Sequence, residues 1–235
     1  MRGPMALSRL GRGLSVFTRI FVALASLCLV GCGSTQSTKE HESARFPDID
    51  LVLIVPFKSV THSREIDTTV RCPICGAVFQ TGPVEAGADT YMTRQLVAFM
   101  KGKTPYELIL PDTAEGVRSK MLAEDIKVSQ RHILVEMGRR LHADAVICGK
   151  IFRFRQRVGT ALSVETPASV AFGIHLIRVG DGRLIWVRRF DETQRSLSED
   201  LFKLRTFVRR GGGWLTAEEL AIFALHEAMA SFPVQ

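Results

Sequence analysis

Asp50-Leu-Val-Leu-Ile-Val-Pro56 decides the architecture of this chain. An unbroken apolar run, rich in branched side chains and bounded by Asp and Pro, is too short for a helix with a buried face. No polar member marks a side left to water. The run therefore reads as a strand covered on both faces, as at the centre of a sheet packed between helices.

Working outward, the pattern turns helical from Glu85 to Met100, with Met92, Leu96, Phe99 and Met100 on one face and Gly102 closing the segment. Tyr106-Glu-Leu-Ile-Leu110 reads as a second strand stopped by Pro111. Asp112-Thr-Ala-Glu115 has the spacing of a capping box and predicts a helix through Leu122. A further helix from Gln130 to Leu141 is capped by Ser129 and turns Ile133, Leu134, Met137 and Leu141 inward. Strands follow at Ala145–Val158, Ser169–Val179 and Arg183–Phe190, the last two joined by the turn Gly180-Asp-Gly182. Thr216-Ala-Glu-Glu219 repeats the capping-box spacing, and Leu220, Phe223, Ala224 and Phe232 line one side of the closing helix. The fold class is α/β: a mixed β-sheet flanked by helices, with antiparallel hairpins in the C-terminal half. One domain spans residues 48–235, with residues 57–84 expected as a long loop.

Upstream of that domain the composition changes twice. Arg2, Arg9, Arg12 and Arg19, with no acidic residue, precede the apolar run Ile20-Phe-Val-Ala-Leu-Ala-Ser-Leu-Cys-Leu-Val30. The run is roughly half the ~20 residues of a spanning helix, so it reads as the core of an export signal over residues 1–31. The join Leu29-Val30-Gly31-Cys32 resembles the lipobox of bacterial lipoproteins, which implies cleavage before Cys32 and lipid, palmitate included, on its thiol. Cys28 follows the bulky Leu27 and does not fit that pattern. Residues 32–47 are polar and read as a short flexible tether after the lipidated Cys32.

Without its leader the chain keeps 204 residues, and four of the 31 Lys and Arg are gone. The remaining 27 stand against 24 Asp and Glu, a net charge of +3, so the basic balance of the whole chain argues for no nucleic-acid partner. Gly33, in place of the Asp that retains lipoproteins in the inner membrane of enteric bacteria, points to the outer membrane and its periplasmic face.

Cys72-Pro-Ile-Cys75-Gly76 is the most specific chemical motif. Two thiols at this spacing fit a disulfide that pins the long loop, or half of a zinc site with Cys148, His62 or His132 as further ligands. A thioredoxin-like redox pair would need a buried strand before Cys72, and Thr68-Thr-Val-Arg71 is short and polar for one. The structural disulfide is the narrow preference, with Cys148 as a small hydrophobe in an apolar strand. No resident cofactor is implied beyond that zinc alternative.

Arg153, Arg155 and Arg157 alternate with Phe152, Phe154 and Gln156, making one strand face basic: a surface for anionic lipid, polysaccharide or an acidic partner, or an ordinary solvated face. Trp214 follows Arg209-Arg-Gly-Gly-Gly213 and either presents itself to a partner or anchors the helix start with Leu215. Trp186 reads as core. No Gly-x-Ser-x-Gly, phosphate-binding loop or His-Glu-x-x-His occurs, so the chain is not expected to be an enzyme. Asp144 reads as a turn residue, and Asp191 and Glu192 as solvent-facing carboxylates.

Gly138-Arg-Arg-Leu-His-Ala-Asp-Ala-Val-Ile-Cys-Gly149 resembles the helix, Ala-Asp, strand, Gly signature of periplasmic lipoproteins folded like the amino-terminal domain of the Tol-system beta-propeller protein. The penicillin-binding-protein activator and curli-secretion lipoproteins belong to the same group. Gly180-Asp-Gly-Arg-Leu-Ile-Trp186 is similar to their hairpin, Gly, apolar, Trp segment. The resemblance spans most of Leu51 to Phe232, excludes the 57–84 stretch, and transfers no catalytic residue. It implies a lipid-anchored, non-catalytic envelope protein that binds or regulates an envelope partner, as in peptidoglycan synthesis. The alternatives are a subunit of an outer-membrane secretion or assembly complex, and a metal or redox protein using Cys72 and Cys75.

Overall fold

Leu51–Ser59 forms β1, and its two faces are buried as an unbroken apolar run demands. Val52 and Ile54 face one layer and Leu53 and Val55 the other, the alternation of a pleated strand with no side for water. The computed structural model describes residues 46–60, 68–123, 129–161, 163–195 and 213–234. The expected leader, Cys32, the tether up to residue 45, and His62 lie outside the described residues.

After β1 come a hairpin of β2 (Thr69–Arg71) and β3 (Val78–Gln80), then α1 (Ala88–Lys103) and β4 (Glu107–Ile109). Helices α2 (Pro111–Ala123) and α3 (Gln130–Arg140) lead to β5 (Ala145–Arg155). A two-stranded flap, β6 (Val158–Gly159) and β7 (Val164–Thr166), precedes β8 (Ser169–Arg178), β9 (Leu184–Thr193) and α4 (Ala217–Met229). The main sheet has the order β4-β1-β5-β8-β9. β4 and β5 run parallel to β1 on its two sides, and β5, β8 and β9 form an antiparallel meander. This is the mixed sheet expected, with the hairpins in the C-terminal half.

Helices cover both faces. Met92, Leu96 and Met100 of α1 pack with Leu220, Ala224 and Leu225 of α4 over Ile147, Phe172 and Ile174. On the other face Ala114 and Met121 of α2, Leu134 and Met137 of α3, and Phe79 of the hairpin cover Val146, Cys148 and Phe152. Trp186 is core, its Nε1 donating to Ser231 O at 3.1 Å and its ring edge-on to Phe232. The Thr216 capping box forms as the spacing predicts, Glu219 N donating to Thr216 Oγ1 and Thr216 N to Glu219 Oε2. Ser129 caps α3 by accepting from His132 N.

Two expectations are corrected. Residues 57–84 are not one loop: β1 runs on to Ser59, and the β2–β3 hairpin occupies Thr69–Gln80. Helix α2 begins at Pro111, whose missing N–H costs nothing at a first helical position, rather than after a cap at Asp112.

Candidate metal centre

The hairpin turn holds the Cys pair in a fixed shape. Cys72 N donates to Ala77 O at 2.7 Å, and Gly76 N donates back to Cys72 O at 2.9 Å. Gly76 sits at φ +74, the left-handed backbone that glycine adopts without a side-chain clash. The backbone N–H groups of Ile74 and Cys75 point at the Cys72 sulfur. Donors aimed at a sulfur favour its thiolate. From the other side Arg131 of α3 donates to Ile74 O, tying the turn to the helix layer.

Underneath lies His175, fully buried in the middle of β8. Its Nε2 is 3.4 Å from Cys72 Sγ. The ligand atoms of Cys72, Cys75 and His175 all lie within 4.8 Å of one another. Burial holds His175 down to about pH 4 for protonation, so at neutral pH the ring is uncharged and has a lone pair to offer. Burial raises the Cys72 thiol, opposed by the two backbone N–H groups. These three groups could hold a soft divalent metal such as zinc, for which two thiolates and an imidazole are a standard donor set.

The sequence pointed to this place only in part. Cys72 and Cys75 are brought together as free thiols rather than joined as a disulfide. His132 is instead exposed on α3, where its backbone N–H meets the Ser129 cap. His175 was missed, although a His inside Phe172-Gly-Ile-His-Leu-Ile177 is itself a signal, because an apolar strand buries such a ring only with a partner. The redox reading loses its geometry, since Cys72 sits in a hairpin turn and not at the start of a helix.

The expected basic face is taken apart by the structure. Arg153 is only 5% exposed and lies under the hairpin. Its guanidinium donates to Ser169 Oγ at 2.6 Å, Gln80 O at 2.8 Å and Asp191 Oδ1 at 2.6 Å. A bulge between Ile151 and Arg153 breaks the simple alternation, and β5 ends at Arg155, so Arg157 is off the strand. Arg155 and Arg157 are half-buried. Trp214 is half-buried too, its backbone N–H donating to Ala161 O, while Leu215 packs on the core as a helix-start anchor. Asp144 accepts from Asp50 N and Leu51 N at 2.9 and 2.8 Å, so it locks the start of β1 to that of β5.

A cleft of about 500 Å³ opens where the carboxyl ends of β1 and β4 part, between Phe57, Thr93, Arg94 and Pro111. The connections from these neighbouring parallel strands leave to opposite faces, the position at which open α/β sheets bind ligands. Part of its polar lining is already engaged, Thr93 Oγ1 accepting from Phe57 N and Asp89 Oδ2 from Ser59 N.

No protein-family model matches the sequence, and no curated protein matches it. Solved structures similar to it include the PelC dodecamer from Paraburkholderia phytofirmans, 13% identical with a TM-score of 0.43 over 82% of this chain and 94% of that one. Lipoprotein GNA1162 from Neisseria meningitidis is 14% identical with a TM-score of 0.36, over 68% and 95%. The LpoB C-terminal domain from Salmonella enterica is 13% identical with a TM-score of 0.35, over 62% and 83%.

Proposed function

We propose that this chain is a non-catalytic lipoprotein of the cell envelope, cut before Cys32 and held by lipid at the periplasmic face of the outer membrane. Its domain acts by binding another envelope protein, with the machinery of peptidoglycan synthesis the first place to look. The observation that carries the reading is Leu29-Val30-Gly31-Cys32, placed between an apolar leader and a polar tether that runs into one folded domain. The polar groups of that domain support it. Asp144 serves two backbone N–H groups and Asp191 serves Arg153, so neither carboxylate is left for acid–base work in a cleft. A pore-forming role fits less well, because β5 and β8 are buried on both faces and do not offer the alternating lipid and lumen sides of a barrel hairpin.

Growth of cells making the full chain with a labelled fatty acid tests the anchor. Wild-type protein is expected to carry label and Cys32→Ser to accumulate as unlabelled precursor, with Cys28→Ser unchanged; label on Cys32→Ser overturns the assignment. Crosslinking in intact envelopes should then recover one defined protein with the anchored form and not with Cys32→Ser. Turnover of a cell-wall or nucleotide substrate by homogeneous protein would sink the non-catalytic reading.

A further inference from the structure

We propose that Cys72, Cys75, Cys148 and His175 together form a closed, structural zinc site that clamps the β2–β3 hairpin to the two central strands β5 and β8. Three of the four already converge. With metal–sulfur and metal–nitrogen bonds of about 2.3 and 2.0 Å, a tetrahedral ion would set its sulfur and nitrogen ligands about 3.5 Å apart. Cys72 Sγ and His175 Nε2 stand at 3.4 Å. The fourth ligand comes from the sheet register. Cys148 is the direct cross-strand partner of His175, so their side chains rise on the same face, under the hairpin. Its Sγ is 3.9 Å from His175 O.

The chemistry of the set supports zinc over the alternatives. Three thiols cannot pair off as disulfides, whereas three thiolates and one imidazole complete a closed tetrahedral site with no position left for water. The His175 ring has no other engagement: among the described residues its Nδ1 meets no hydrogen-bond partner, and its polar contact is with the sulfur. The two backbone N–H groups at Cys72 supply the stabilisation that a metal-bound thiolate receives in a knuckle turn. The site also answers a need of the fold. Strands β2 and β3 are three residues each, with Phe79 their one fully covered side chain, and the hairpin's other buried apolar side chains, Ile74 and Cys72, lie in the turn that the metal would tie down. The site would form whether or not Cys32 carries lipid.

The full chain, purified from membranes in mild detergent without chelator, is to be analysed for metal and for intact mass. One zinc per chain with all thiols reduced is expected. X-ray absorption at the zinc edge of this unaltered protein should fit three sulfurs and one nitrogen, and cobalt exchanged into the site should show tetrahedral visible bands. Cys148→Ser is expected to lower the thiolate-to-cobalt charge-transfer intensity by about a third, and His175→Ala to shift the visible bands. Chain free of metal, or lighter by two hydrogens through a Cys72–Cys75 disulfide, overturns the proposal. So does a zinc shell of two sulfurs in the unaltered protein, which would leave Cys148 outside the site even if its variant failed to fold.

Discussion

Gly149 and Phe57 compete for one space: a β-carbon at Gly149 would come within 2.1 Å of the Phe57 ring. Gly138 is used in the same way, its missing side chain letting α3 close on Val146 and Val179. These are the two glycines that bound the resembling segment, so its signature is a packing requirement rather than a chemical one. Gly149→Ala should destabilise the domain by about 3 kcal/mol through overpacking. Combined with Phe57→Ala it should cost clearly less than the two changes summed, as urea unfolding of the four proteins would show. Arg153 supplies a second test. Arg153→Met leaves Ser169, Gln80 O and Asp191 without their shared donor and should cost about 2–4 kcal/mol. Asp191→Asn should cost under about 1 kcal/mol, because that carboxylate is 38% exposed and water replaces the lost charge. Equal costs for the two would show that the arginine is not the buried partner. At this scale the sequence was half legible. It marked Cys72 and Cys75, but it placed Arg153 in solvent, because one bulged residue turns a strand's alternation over. It passed over His175, because the ring's partner lies 103 positions away.

Elements were readable where a periodic apolar face was long enough to declare itself. Helices α1, α3 and α4 lie where Met92 to Met100, Leu134 to Met137 and Leu220 to Leu225 require them, and Thr216 and Ser129 cap as their positions predict. The β2–β3 hairpin was unreadable for the opposite reason. Its strands pair only three residues, and four of those six side chains are exposed, so no alternation rises above the polar background. What holds it lies elsewhere in the chain: Phe79 stacks on Phe152 at 4.0 Å between ring centroids, and Arg153 donates to Gln80 O. In protein stripped of metal, Phe79→Ala should therefore release the hairpin while leaving the five-stranded sheet intact. Limited proteolysis should then cut within residues 68–81 well before the rest of the domain, with far-ultraviolet circular dichroism unchanged to within a few per cent of its wild-type signal. A global loss of signal would mean that the hairpin is part of the sheet's own cooperative unit.

The whole molecule was legible as a class and not as a topology. A buried strand, helices between strands and late hairpins imply a covered mixed sheet, and that is present. That β1 lies between β4 and β5, rather than at an edge, follows from α1 and the α2–α3 pair taking opposite faces, which no local pattern encodes. This placement has a kinetic consequence. Leu51 meets its lock at Asp144 across 93 positions, whereas β5, β8 and β9 pair with near neighbours in the chain. The earliest strand to be made thus waits longest for both of its neighbours, with its apolar side chains uncovered meanwhile. Closing the larger loop costs entropy before the pairing repays it, so the meander is expected to form first and β1 to insert late. Ile174→Val in β8 should slow folding, while Ile54→Val in β1 should leave the folding rate nearly unchanged and speed unfolding, as stopped-flow chevrons of the two variants would report. A chain built this way is most exposed to aggregation while its first strand is still unpaired, so the interval before β5 is complete is when it has most need of a chaperone.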